Sequence, residues 1–438
     1  MSGRVLQVHK HTWTPADRAE LQIRSLPVDV PRDVEALRID LDVAANVGSV
    51  IDLGAQSPRG YVGWSGGARR QIVISAEWST PGYLPTRGYA GTWQVLLGLH
   101  RVPADGARTT VTVRESNAGE VARLRALEPA DPPVPLRPPR RTLPSSSGLT
   151  WLAADFHTHT VHSDGSLSVG GLAALAVSRG LDVLAITDHN TTSHHAELPA
   201  AATRYGIQLV PGQEITRDTG HANAFGDIGF VDFRTPPATW AAEVAKRGGV
   251  FSINHPLAGD CAWLVDGLVA GYHDASGNGS GNGSGDGPAR PLAEVWHSSW
   301  EIDRTWGAPL SWWSARPETV PIGGSDFHLV GSDDLPGAPT TWVLCDGDDV
   351  LGALRSGRTA VSAGREGPLL LREGDEVVCF NADGLLLTGP GQPRRLIHGD
   401  LVTIRCEPGR GSRPTAGVAR CIAVGAHSSG ETYPARRA

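Results

Sequence analysis

Apolar and polar residues alternate in short runs over the first part of the chain. Ala36–Val43, Gln71–Ser75, Thr92–Leu97 and Thr109–Arg114 each repeat with a period of two, and Gly and Pro punctuate the gaps. A period of two puts one face of each strand into a core, so residues 1–128 are expected to form a β-sandwich or jelly-roll-like domain. The stretch 129–150 breaks the pattern, with Pro at 129, 132, 133, 135, 138, 139 and 144, and reads as a stiff extended linker.

From Trp151 the period changes. Apolar runs at Leu181–Ile186, Ile207–Val210, Gly249–Ile253, Ala293–Trp296 and Val320–Ile322 alternate with helical stretches at Leu172–Val177 and Ala238–Lys246. Strands alternating with helices imply a parallel sheet, here expected to close as a barrel over residues 151–365. Within it, 274–290 is a Gly/Ser/Asn-rich insertion with too little apolar surface to order itself. Thr341–Leu344 reads as a strand and Val350–Leu354 as a short helix, and 366–438 as a small C-terminal β-rich appendage. The fold class expected is multidomain β plus α/β.

Composition narrows the classes. With 40% hydrophobic and 19% charged residues, the 438-residue chain has the balance of a soluble globular protein of two or three domains. A net charge of -7 offers no basic footprint for long duplex nucleic acid. The five cysteines are widely spaced without a CxxC, which indicates neither a disulfide framework nor a zinc ribbon. Neither a signal-peptide core nor a run of ~20 apolar residues is present, so no membrane partner is expected and a cytoplasmic location is.

The chemistry concentrates at strand ends. His157 and His159 sit two apart after the run Leu152–Ala154, on one face of an extended segment, and Asp164 follows before the turn at Gly165. Thr187-Asp188-His189 follows Ile186, Glu214 follows Val210 with His221 seven residues on, His255 follows Ile253, and Asp326 and His328 follow Ile322. Side chains from the carboxyl ends of different barrel strands converge on one mouth. Singly, His189 is as readily a capping residue, His255 a turn filler and Glu214 a surface carboxylate; together they point to a shared metal site. Imidazole and carboxylate donors suit Zn, Mn or Fe. A water bridging two cations loses its proton near neutral pH and becomes a positioned nucleophile. Asp326 reads either as a ligand or as a proton shuttle. Arg217 reads as a surface residue or a phosphate partner, and His297 as facing substrate or packed in the core. His162, His194, His195 and His273 fit no ligand position.

The elements HxHxxxSDG, TDH, the Glu–His pair, HP and DxH, between Trp151 and Val361, resemble the polymerase and histidinol phosphatase (PHP) family of metallohydrolases. Their surroundings, together with Gly63–Ala68 and Thr80–Tyr83, are similar to its carbaryl-hydrolase-like (CehA/McbA) branch and that branch's leading β domain. The resemblance implies a distorted (β/α)7 barrel and two or three divalent ions. It implies His157, His159, Glu214 and Asp326 around the first, Glu214 with His221 and His255 around the second, and Asp164, His189 and His328 around the third. Amidohydrolases also begin with HxH but use a strand-end Lys, whereas Lys246 lies in a helical stretch.

Three functions stay open. The first is phosphoester hydrolysis on a small phosphomonoester, diester or short oligonucleotide. The second is carbamate or carboxylic ester hydrolysis, for which Trp296, Trp300, Trp306, Trp312 and Trp313 would supply an aromatic pocket. The third is a partner- or glycan-binding protein with a structural barrel.

Overall fold

The computed structural model describes residues 3–44, 48–87, 90–145, 148–265, 291–298, 308–316, 319–373, 376–387, 394–405 and 420–423. The 274–290 insertion, His273, Trp300 and Trp306 lie outside the described residues.

Eight strands precede the Pro-rich stretch: β1 (Val5–Trp13), β2 (Ile23–Val30), β3 (Ala36–Val43), β4 (Val50–Ser57), β5 (Gly60–Trp64), β6 (Gln71–Ile74), β7 (Gly91–Arg101) and β8 (Ala107–Ser116). They form two antiparallel sheets, ordered β1-β8-β3-β6 and β2-β7-β4-β5. Alternation decides which residues meet between them: Leu37, Ile39 and Leu41 from the first sheet join Leu53, Val95, Leu97 and Leu99 from the second in one apolar core. Two helices interrupt the β pattern. Pro15–Glu20 is nucleated by a capping box between Thr14 and Asp17, and Ala118–Arg125 is capped by Asn117.

The Pro-rich stretch is extended but not free. Arg140 pairs with Asp182 at 2.8 Å, Arg141 donates to the carbonyls of Arg365 and Gly367, and Tyr205 donates to Pro132 O. It thereby ties Asp182 and Tyr205 to the stretch at residues 365–367.

The barrel strands are β9 (Thr150–Asp155), β10 (Val183–Ile186), β11 (Gln208–Arg217), β12 (Gly220–Phe225), β13 (Val250–Ile253), β14 (Leu292–His297), β15 (Val320–Gly324), β16 (Thr340–Cys345) and β17 (Thr359–Ser362). They share one sheet, ordered β15-β14-β13-β12-β11-β10-β9-β16-β17, with Arg420–Ala423 at the far edge. The sheet curls until its ends nearly meet: Thr341 Oγ1 bridges to Gly323, and Thr359 Oγ1 donates to Pro321 O. Leu152, Ala154, Val183 and Ala185 fill the interior, while Trp151, Ala153, Leu184 and Ile186 face the outer helices. Burial on both faces explains the continuous apolar runs.

Strict strand–helix alternation fails in more than one place: no helix separates β15 from β16, and β16 runs antiparallel to both β9 and β17. β11 and β12 are an antiparallel hairpin across Asp218-Thr219, and His221 lies on the return strand opposite Thr216. Asp followed by Gly two residues later is turn chemistry that overrides a crossover helix. The helices among the described residues of the barrel are Val169–Ser178, Leu198–Tyr205, Trp240–Lys246, Ala308–Ser314 and Val350–Arg355. Beyond them, Leu369–Glu373, Glu376–Phe380 and Leu401–Arg405 make a small antiparallel sheet. No helix among the described residues is long and apolar enough to cross a membrane.

Candidate metal centre

The ligand-bearing segments leave the barrel strands at one end and are tied to each other by their backbones. After β9 and β15 the chain continues as paired segments, with Asp326 N donating to His157 O and His159 N to Phe327 O. This sets Asp326 between the two histidines. Its Oδ1 is 3.1 Å from His157 Nε2 and 2.9 Å from His159 Nε2. Asp155 anchors the crossing, accepting the amides of His157, Ser325 and Gly337. After β10, Asn190 N donates to Glu214 O, which brings His189 over the bridging carboxylate.

Glu214 is the hub. Its Oε1 lies 3.4 Å from His157 Nε2, 3.0 Å from His221 Nδ1 and 3.5 Å from His255 Nε2. Its Oε2 lies 3.5 Å from His159 Nε2 and 2.7 Å from His189 Nδ1. Further out, Asp164 Oδ1 stands 3.3 Å from His328 Nε2 and 3.7 Å from His189 Nε2. Ligand atoms fall into overlapping groups, His157–His159–Glu214–Asp326, His189–Glu214–His221 and His159–Asp164–His189–His328. A further group joins His255, His297 and Asp326. His297, read from sequence as facing either substrate or core, has its Nε2 3.1 Å from Asp326 Oδ2.

All nine sequence-derived ligand candidates therefore meet at one mouth. Arg217 does not. Glu214 and Thr216 share a strand face, and Arg217, one residue out of phase, turns away and donates to Arg234 O. Trp296 is buried and Trp312 packs on an apolar cluster, so neither opens an aromatic pocket.

Three residues beyond the sequence reading complete the shell. Glu294 Oε1 meets His157 Nδ1 at 2.7 Å, and its Oε2 accepts the amide of His255. A carboxylate on the far nitrogen of a ligand imidazole fixes tautomer and orientation. Its signal was a charged residue inside the apolar run Leu292–Trp296. Asn254 donates to Glu214 Oε1 at 2.8 Å, and Ser163 bridges Asp188 and His159 Nδ1. Glycines make room: a Cβ at Gly324 would fall 2.3 Å from Glu294 Oε1, and one at Gly165 2.4 Å from His159 O.

The electrostatics and the donor set fit cations. Burial opposes charge on His157, but Glu294, Asp326 and Glu214 outweigh it and hold the imidazole pKa well above its ordinary value. His189 is likewise lifted to about 10, against burial, by Glu214 and Asp164. His159, pressed by burial and by His328 and His189, is pushed down to about 4. Burial would raise Glu214, yet the surrounding histidines hold it well below the carboxylate range. His157 Nε2 and Glu214 Oε2 are shielded from water without a hydrogen bond of their own, although ligand atoms surround both. Such separations match the edges of a coordination shell with bonds of about 2.0–2.2 Å. Backbone strain marks the same place: His255, Asp326 and Asn190 all have positive φ.

Residues 155–245 match the family model for the PHP domain. The chain is 42% identical over 62 residues to a 5'-3' exoribonuclease of Haemophilus influenzae, covering 14% of this chain and 23% of that protein. It is 39% identical over 66 residues to a 3',5'-nucleoside bisphosphate phosphatase of Chromobacterium violaceum, covering 15% and 23%. The chain thus spans about a quarter of the length of either relative. Among solved structures, it is similar to a two-domain protein from Bacteroides vulgatus containing a predicted PHP-like metal-dependent phosphoesterase. That similarity has a TM-score of 0.40 and 19% identity, covering 63% of this chain and 89% of the other. The stretch that matches the PHP domain model holds His157, His159, Asp164, His189, Glu214 and His221.

Proposed function

We propose that the chain is a metal-dependent phosphoesterase acting on a small phosphomonoester, phosphodiester or short oligonucleotide. One observation carries this reading: His159, His189 and Glu214 are each shared between adjoining ligand groups, which supports more than one cation position at this mouth. His157, His159, Glu214 and Asp326 would hold a first ion, Glu214 with His221 and His255 a second, and Asp164, His189 and His328 a third. When bound, such Zn, Mn or Fe ions activate water and neutralise charge on a phosphoryl oxygen.

The chain's own residues do the rest. Glu294 and Asn254 keep His157 and Glu214 from rotating, so the ligand atoms are prearranged. Asp326 stays ionised and holds His297 Nε2 in place, from where that imidazole can pass a proton to a leaving oxygen. Leu329 and Val330, exposed beside His328, offer apolar contact to the organic part of the substrate. The similarity to an exoribonuclease and a bisphosphate phosphatase favours phosphoesters over carbamates. A glycan- or partner-binding role for the leading sheets is disfavoured because part of their surface packs against the barrel, as with Tyr61 of β5 on Asn190.

The test is release of nitrophenol from a phosphomonoester, a phosphodiester and a carboxylic ester by metal-analysed protein, before and after chelation, with His157→Ala as control. Phosphoester cleavage lost on chelation is expected. Ester-only cleavage would move the assignment to the carbaryl-hydrolase type, and a chain that binds no ion at all would sink the reading.

A further inference from the structure

The ligands of the inner and outer groups are held by different parts of the molecule. His157, Glu214 and Asp326 are braced from within the barrel, by Glu294, Asn254 and the paired segments after β9 and β15. Two of the outer ligands, Asp164 and His189, sit on loops that the leading sheets grip. Arg69, just past the short turn Gly66–Ala68, donates one guanidinium nitrogen to Ser163 O at 2.8 Å and the other to Val161 O. Ser163 immediately precedes Asp164 and Val161 lies three residues before it; the Asp164 side chain is 46% exposed and is met by His189 and His328.

The neighbouring loop is gripped in the same manner. Tyr61 Oη donates to Asn190 O at 2.7 Å, one residue after His189. Gly82 donates its amide to Ser193 Oγ and accepts from Thr191 Oγ1. A Cβ at Gly82 would stand 2.7 Å from His162 O, and its φ is +101°, so the close approach requires glycine.

We propose that Arg69 is a positioning residue for the outer His159–Asp164–His189–His328 group, so that the leading sheets are part of the metal site by fixing the Asp164 loop. The inference rests on the metallohydrolase reading above. A guanidinium near a cation repels it, so any gain in affinity from Arg69 has to come through loop geometry and not through charge. The inner group, with no contact to Arg69, should be indifferent.

The experiment is a Mn(II) titration of the chelator-stripped full chain, counting free ion by electron paramagnetic resonance, alongside a melting curve. Wild type, Arg69→Ala and Arg4→Ala are compared. Arg4 pairs with Asp33 and Glu115 in the leading sheets and touches neither loop. In Arg69→Ala the weakest-bound equivalent should lose about tenfold or more in affinity, the span expected for a group that orients ligands. The tighter equivalents and the Arg4→Ala protein should match wild type, and added guanidinium ion should restore part of the loss. Tyr61→Phe, which keeps the ring and removes only the bond to Asn190 O, should weaken the same equivalent. Unchanged or tighter binding in Arg69→Ala overturns the inference. So does a uniform weakening of every ion that Arg4→Ala reproduces. A wild type that binds no ion would overturn the metallohydrolase reading itself, a distinguishable result.

Discussion

The core between the leading sheets and the open end of the barrel use the same strand alternation and fill it in opposite ways. Between the sheets, Leu37, Ile39, Leu53, Leu97 and Val111 are all within 3% of full burial in one mainly apolar cluster. At the barrel mouth, Asp155, His157, His159, Asp188, Glu214 and Glu294 are buried just as deeply. The first arrangement gains free energy from every Å² removed from water. The second incurs desolvation of many charges, and three left-handed backbone positions add about 1–3 kcal/mol each. Such a mouth persists because the barrel around it over-determines it, and its value lies in what it binds.

Leu97→Ala gives the largest expected effect on the first side of this contrast. The side chain is fully buried at the centre of the leading core, so truncation should cost about 2–5 kcal/mol of that region's unfolding free energy. Denaturant titration followed by Trp fluorescence reads the loss. Ion stoichiometry of the folded protein should stay at the wild-type value. A folded variant that has lost its inner ions would break the distinction between the regions.

On the second side, Glu294→Gln should leave the melting temperature near wild type and weaken ion binding by about 10- to 100-fold, the range for groups that orient ligand imidazoles. The amide keeps the shape but not the charge that holds His157 upright. A competitive metal titration decides. Unaltered affinity with a lower melting point would make Glu294 a structural residue, like those of the leading core.

The same contrast governs how much was legible in the sequence. His157, His159, His189, Glu214, His255, Asp326 and His328 each follow an apolar run, and a strand end is where periodicity stops and ligands begin. Arg217 was legible from strand periodicity alone. Its separation of three from Glu214 puts it on the opposite strand face, which a period-two count excludes as a partner of the cluster. The β11–β12 hairpin was masked because its strands look like one ligand-bearing run followed by a loop. Arg69 and Tyr61 had no local signal. Their role depends on how two distant stretches of chain pack, and Gly63–Ala68 marks only a tight turn until the loop it meets is known.

Asp52 sharpens the comparison with the smallest expected effect, because it lies where the two regions meet. It projects from β4, pairs in register with Gly98 and carries a carboxyl pushed up to about 7. Burial is the main cause and Asp218 adds repulsion, while His189 and Arg70 pull the other way. The ordinary value is 3.8, so between about pH 4 and 7 the folded chain holds a proton that the unfolded chain has released. Stability therefore falls as pH rises through that window and levels off above it. Asp52→Asn cannot titrate. In metal-free protein it should match wild type near pH 4 and exceed it by about 1 kcal/mol near pH 8, a figure reduced because the side chain keeps partial contact with solvent. Melting curves across pH test this. A variant that tracks wild type at every pH would show that the carboxylate is solvated at the seam. The cost of buried charge would then be confined to the metal-binding mouth.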